Sequence, residues 1–462
     1  MLPPISVLRA NLKHVIVCKE EQGHVVTGLA DELAALPASY DALAAFAERL
    51  ATLPVRDDWP YVEPDDWAGI RAESAWAGDL VSVDLDASAR RVEAAFLGSV
   101  CGCVLGKPLE INPTLDELEK AFTQIGEWPL RDYVSERVGP FLPRPFHGSW
   151  PETVRERIAY VAADDDINYT ILGMVVLEQH GPRFTHANLR DAWLQQLPVS
   201  MTFGPERLTL LKAGINTLAD GQPNDFTQWV TRFNPKDEFC GALIRADAYG
   251  YACPGRPALA AELAWRDASF THRRTGIYGT MFVAAAIAAA LVERDPLRVF
   301  ETALRFVPQR SRFHKIVADS LTEVSRAKDW RDGYRRLHGK YWEYTHCRVF
   351  QEVGTLINTL RFAENVGDGI GKQVMQGNDT DSFGATAGSL LGAFFGPGHL
   401  EERWLAPFQD DIHTSLACFY ERSLARLAQR MAQLPRMVAG QLAAPLQSAA
   451  STGRQRDATS GL

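Results

Sequence analysis

Two short acidic runs hold the residues best suited to chemistry. In "GNDTDSFGATAGSLLGAFFG" (Gly377 to Gly396), Asp379, Asp381 and Ser382 open a segment of small and apolar residues. In "ADDDINYTILGMVVLEQHGP" (Ala163 to Pro182), Asp164, Asp165 and Asp166 open another. There Ile167, Ile171, Met174 and Val175 recur at i, i+4, i+7 and i+8, the signature of a buried helical face. A single carboxylate at a helix start is a cap, and its neighbours favour the positive end of the helix dipole. Capping remains one reading of both runs. The other is metal binding, because adjacent carboxylates repel one another and one is enough for a cap. Carboxylate and hydroxyl oxygens are hard donors that suit Mg²⁺, Mn²⁺ or Ca²⁺ rather than zinc. Neither a Cys/His zinc spacing nor an HExxH pattern is present.

Two further segments are candidates. In "RVEAAFLGSVCGCVLGKPLE" (Arg91 to Glu110), Gly98, Gly102 and Gly106 recur every four residues, so one helical face admits a close backbone neighbour. Lys107-Pro108 ends that helix and Glu110 lies in the following loop. Cys101 and Cys103 point about 200° apart on a helix and cannot grip one ion, so they read as buried structural thiols. The segment from Ile244 to Gly279 mixes a Gly/Pro loop, aromatics and a Thr-His-Arg-Arg cluster. Arg245, Asp247, Tyr249, Tyr251 and His272 could hold a nucleotide-like ligand by stacking and charge, whereas a lone His272 is more often structural.

The elements that must position these residues are helices. Most of the chain repeats its apolar residues at helical spacing, as in "HTSLACFYERSLARLAQRMAQL". The clearest strand signal is "HVIVCKEEQGHVVTG" (His14 to Gly28), two β-branched runs around Glu-Gln-Gly that read as a hairpin. The expected class is all-α with a small β element near the N-terminus. Three regions differ in texture: an extension over 1–88, a helical body over 89–436, and an unpatterned, disordered tail over 437–462. Trp59 and Trp67 in the extension look like packing anchors.

The chain has 462 residues, 46% of them hydrophobic and 23% charged, with a net charge of −9. That balance argues against a nucleic-acid surface, which carries a basic patch. No signal-peptide pattern is evident at the N-terminus. The apolar run Gly279 to Val292 is too short to span a bilayer, so no membrane association is expected. Seven cysteines without framework spacing fit a reducing cytoplasm.

Taken in order, the four segments resemble the ADP-ribosylglycohydrolase family, of the dinitrogenase-reductase-activating glycohydrolase type. "GCVLGKPLE" resembles its Gly-rich helix followed by Pro-x-Glu. Asp164-Asp165-Asp166 stands in the place of its Thr-Asp-Asp cluster, and Thr271-His272 looks like its later Thr-His element. Gly377 to Gly396 is similar to its Gly-x-Asp-Thr-Asp motif with a small-residue helix behind. The resemblance covers about 90–435, the last motif being the most specific, and the triple-Asp "INYT" form is similar to a bacterial variant. It departs from the family where Cys103 replaces Asp and where Asp164 and Ser382 replace Thr.

This resemblance implies an orthogonal multi-helix bundle with two divalent ions, Mg²⁺ or Mn²⁺, as cofactors. Carried over by position, the metal ligands are Asp164, Asp165, Asp166, Asp379, Asp381 and Ser382. Glu110, Asp165 and Asp379 are the implied catalytic residues, and Arg245, Asp247, Tyr249, Tyr251 and His272 the implied ADP-ribose contacts. The implied partner is an ADP-ribosylated protein or small molecule, whose glycosidic bond at the ribose is hydrolysed through an oxocarbenium-like transition state. Two alternatives accompany this reading. One is a pseudo-enzyme that binds ADP-ribose, with Cys103 marking lost chemistry. The other is an immunity protein that uses its extension to occlude an ADP-ribosylating toxin.

Overall fold

The computed structural model describes residues 3–80, 83–216 and 226–443. Among them the fold is all-α: no strand forms, and β pairing is confined to isolated bridges such as His24 with Val55. The hairpin expected over His14–Gly28 is replaced by helix α1 (Ile5–Glu21). Leu12, Val15, Ile16 and Lys19 are its buried face, a helical i, i+3, i+4, i+7 set in which the β-branched pair is incidental. With α2 (Leu29–Ala35) and α3 (Tyr40–Ala51), α1 encloses a small core of its own around Leu33, Leu43 and Phe46. Residues 437–443, which the sequence assigns to the tail, instead continue the helix Leu434–Ala443; 444–462 lie outside the described residues.

The main body is built on one close helix pair. α4 (Leu85–Gly106) starts at Asp84, whose carboxylate accepts from the Asp86 and Ala87 amides. α5 (Asp165–His180), α6 (Gly204–Asn216), α7 (Thr275–Ala290), α8 (Phe350–Phe362), α9 (Val366–Met375) and α10 (Thr380–Phe395) follow. α4 and α10 run antiparallel and touch backbone to backbone. A β-carbon on Gly98 would press on the Gly388 carbonyl, one on Gly102 would overlap the Gly384 carbonyl, and one on Gly106 the Thr380 carbonyl. Side chains are excluded there by the neighbouring main chain, so this contact is the physical reason for the four-residue glycine spacing. α7 is buried along its whole length. By composition the helical stretch Leu85–Leu109 is long and apolar enough to cross a membrane, yet 78% of its apolar window is packed inside the protein.

The extension is fastened to the body by polar groups. Arg312 pairs with Glu63 at 3.0 Å, and the Arg274 amide donates to Asp65 at 2.6 Å. Tyr278 donates to the Pro64 carbonyl at 2.6 Å. His24 donates through Nδ1 to the Leu53 carbonyl and accepts from Arg274 through Nε2. Trp67 packs on Trp265 of the body, and the Arg312 guanidinium lies over Trp59.

Candidate active site

The antiparallel seam brings the end of α4 to the start of α10, which places Lys107 and Glu110 beside Asp379, Asp381 and Ser382. The turn before α10 needs Gly377, whose φ of +80° is left-handed and whose β-carbon would overlap the Pro113 carbonyl. Asn378 then donates to that carbonyl at 2.8 Å. α5 meets the same point from the other side. Asp164 is its N-cap and accepts from the Asp166 amide at 3.1 Å, whereas Asp379 makes no capping hydrogen bond on α10. Capping thus accounts for Asp164 and leaves Asp379 unexplained.

Glu110, Asp165, Asp379, Asp381 and Ser382 line one cavity of about 270 Å³, together with Lys107, Tyr169, Phe203, Phe239 and His346. Asp164 and Asp166 stand behind it: Asp164 is 2.9 Å from the Lys107 ammonium, and the Ser382 hydroxyl donates to Asp166 at 3.5 Å. Among the described residues Asp166 Oδ1, Asp379 Oδ1 and Asp381 Oδ1 are buried without a hydrogen-bond partner. Buried carboxylate oxygens are costly unless something neutralises them. Carboxylate oxygens suit an oxygen-preferring divalent ion, and Asp379 and Asp166 each belong to a group with ligand atoms within 4.8 Å of one another, Glu110–His346–Asp379 and Cys103–Asp164–Asp166.

The electrostatics follow from this crowding. Burial first, and the Asp381 carboxylate second, push Glu110 up to about 8. Burial and Asp164 push Asp165 up to about 7, and burial with Asp381 carries Asp379 well above the carboxylate range. Asp381 goes the other way: burial would raise it, but Lys107 at 2.6 Å holds it below its ordinary value. Lys107 is itself held protonated against burial by Asp164 and Asp381.

Several groups at this site escaped the sequence reading. Cys240 and Cys347 both donate S–H to Asp379 Oδ2 at 3.3 Å. Hydrogen bonding with Cys347, and then burial, push the Cys240 thiol well above 9. The buried Glu352 accepts from the amides of Cys347, Val349 and Asp379, at 3.0, 2.9 and 3.3 Å, and so ties the 346–349 turn to the start of α10. Cys347 and Val349 adopt left-handed φ values of 64° and 67°, a strained backbone that this carboxylate holds. The only hint in the sequence was an unremarked His-Cys pair in "YTHCRVFQEV".

The five expected ADP-ribose contacts lie elsewhere. Arg245 is 1% exposed and spends its donors on Asp267, on Glu206 at 2.6 Å and on Thr271 at 2.6 Å. Asp247 is buried among Ser99, Ser389 and Tyr251. Tyr249 packs on Phe184, and His272 is fully buried with Nδ1 on Thr271. None of the five lines the cavity; Arg245 and His272 stand behind its lining residue Glu206, and Arg245 is held there because a buried charge needs its partners. Phe203, 51% exposed, and Phe239, with the Lys236 ammonium 5.3 Å above its ring, are what the cavity rim offers a planar ligand. All seven cysteines are unpaired; Cys101 and Cys103 are buried in the core.

The sequence profile of ADP-ribosylglycohydrolase matches residues 84–439, most of the chain. The chain belongs to the ADP-ribosylglycohydrolase family. A solved structure described as an ADP-ribosylglycohydrolase-related protein complex has the same fold, with a TM-score of 0.50 and 20% identity over 76% of this chain and 99% of that one. Comparison with curated proteins finds no match. The family region starts at the Asp84 cap of α4 and takes in both acidic runs, so the α4–α10 seam and its site are the family's part of the molecule. The ADP-ribosylglycohydrolase fold is all-α here as expected.

Proposed function

We propose that this chain is a divalent-metal-dependent hydrolase cleaving the glycosidic bond between ADP-ribose and an acceptor, a protein side chain or a small molecule. The observation that carries this reading is the meeting of Glu110, Asp165, Asp379, Asp381 and Ser382 at one cavity, with three buried carboxylate oxygens unpartnered. Asp166, Asp379, Asp381 and Ser382 would hold Mg²⁺ or Mn²⁺, which when bound supplies positive charge to fix and polarise the ribose hydroxyls.

The chain's own groups do the rest. Glu110 projects from the loop after α4, and a carboxyl raised to about 8 can exchange a proton with water or a leaving group near neutral pH. Asp381, held ionised by Lys107, supplies negative charge beside Asp165 and Asp379, which favours a reaction centre that turns cationic as the bond breaks. Phe203 and Phe239 offer faces for the base, and Lys236 a charge for the diphosphate. The dinitrogenase-reductase-activating type is retained as the proposed relationship, and the unpaired cysteines fit a cytoplasmic setting.

Chelator-stripped protein is expected to lose turnover of an ADP-ribosylated substrate and to regain it with Mg²⁺ or Mn²⁺. Hydrolysis at full rate by metal-free protein would refute the reading. The Asp379→Ala/Asp381→Ala double variant should lose turnover by at least the 10²–10⁴-fold typical of an acid–base group, with its helical circular dichroism intact.

A further inference from the structure

A lysine already occupies part of the acidic cluster. Lys107 Nζ lies 2.9 Å from Glu110 Oε2, 2.9 Å from Asp164 Oδ2 and 2.6 Å from Asp381 Oδ2. Those carboxylates come from the loop after α4, the start of α5 and the start of α10. An ammonium has three N–H donors and no lone pair; it donates to Glu110 and Asp381 and forms an ion pair with Asp164. It is neither a base nor a nucleophile there, only a fixed positive charge. Its backbone cannot withdraw: the preceding Gly106 packs on the Thr380 carbonyl, and the Thr380 hydroxyl donates to Gly106 at 2.8 Å.

The oxygens that Lys107 does not reach form a separate set. Asp381 divides its carboxylate, with Oδ2 on the ammonium and Oδ1 without a partner among the described residues. Asp379 Oδ1 and Asp166 Oδ1 are likewise unpartnered, and both residues are at least 97% buried, at 1% and 3% exposure. Ser382 stands beside Asp166. The cluster thus falls into two parts that share Asp381, one on the Lys107 ammonium and one whose oxygens lack a hydrogen bond, with His346 Nδ1 4.0 Å from Asp379 Oδ1.

We propose that the site uses one divalent ion and one tethered ammonium: Lys107 fills the cation position at Glu110, Asp164 and Asp381, and a single Mg²⁺ or Mn²⁺ is held by Asp166, Asp379, Asp381 and Ser382. This rests on the metal-dependent reading above and changes the number of ions. A second ion would have to displace two charge-assisted hydrogen bonds and an ion pair from a group that cannot diffuse away. Lys107 is a positioning residue: it sets where the one ion can sit and holds Glu110 at the cavity wall.

Titrating the full-length protein with Mn²⁺ alone tests this, by calorimetric stoichiometry and electron paramagnetic resonance. Wild type should bind one ion per chain with an isolated-ion hyperfine pattern, and Lys107→Arg should keep that count. Lys107→Ala should bind two, with the spectrum of an exchange-coupled pair. Two ions in the wild type, or one ion in both wild type and Lys107→Ala, would overturn the proposal while leaving metal dependence standing. Failure of the wild type to bind Mn²⁺ would remove the metal-dependent reading as well. The wild-type and Lys107→Arg counts decide the matter even if Lys107→Ala does not fold.

Discussion

Asp164 and Asp379 begin helices in the same way on paper, yet one caps and the other does not. A carboxylate's work is set by which oxygens find donors, and only the assembled site decides that. Asp247 makes the same point away from the cavity. Burial raises it to about 7, and its hydrogen-bond partners are the hydroxyls of Ser389, Ser99 and Tyr251, with no cation among the groups acting on it. Its folded value lies above the unfolded 3.8, so its proton stabilises the fold, and that contribution is lost as pH rises from about 4 through about 7. Asp247→Asn carries no such dependence. Relative to wild type the variant should therefore gain stability as pH is raised from 5 to 8, by up to about 1.4 kcal/mol per unit inside the window. Urea unfolding at several pH values checks it, and a difference independent of pH would contradict the assignment. At this scale the acidic residues were legible because they cluster in sequence. Lys107, Cys240, Cys347 and Glu352 were not, because they reach the same point from separate elements, and a lone Lys or Cys carries no periodicity.

Among the elements, the α4–α10 seam is the one that sequence spacing announced most directly. Glycines every four residues on two helices leave little other explanation than main-chain contact. Gly102→Ala forces a methyl against the Gly384 carbonyl, which is backbone and cannot rotate away. Its cost should reach or exceed the upper end of the roughly 1–3 kcal/mol of ordinary overpacking. Gly339→Ala, in the helix Trp330–Tyr341 with open space around the added carbon, should instead stabilise by about 0.5–1 kcal/mol. Thermal unfolding of both variants separates a seam from a stripe of small residues; equal midpoints would speak against close contact. The helix α1 was misread for the opposite reason. Val15, Ile16 and Val17 suggested a strand by residue type, whereas burial followed the helical spacing of Leu12, Val15, Ile16 and Lys19. Type is a weaker guide than period when a segment packs on one side only.

For the whole molecule, the question is what the first eighty residues do. They own a small core, yet they also supply partners to charged groups of the body: Glu63 to Arg312, Asp65 and Gln22 to Arg274. Gln22 also donates to the buried Asp237 at 2.9 Å. Removing residues 1–80 would strand these groups, and breaking one buried pair alone costs about 3–5 kcal/mol. The truncated chain should melt far below the full one or fail to stay soluble. An arm that merely occludes a partner would leave the melting temperature unchanged. Trp59 and Trp67 stood out in the sequence as anchors, but the charged contacts did not, since an ion pair across more than two hundred residues leaves no local pattern.

The glycine seam also says which part of the site can breathe. Main chain pressed on main chain has no slack, so Lys107, Glu110 and the start of α10 form a stationary wall. On the proposed reading, substrate and product pass at the rest of the lining, which includes Phe203 to Glu206, Lys236 and Phe239 to Gly241. Chemistry in this protein is anchored at one wall and admitted at the other.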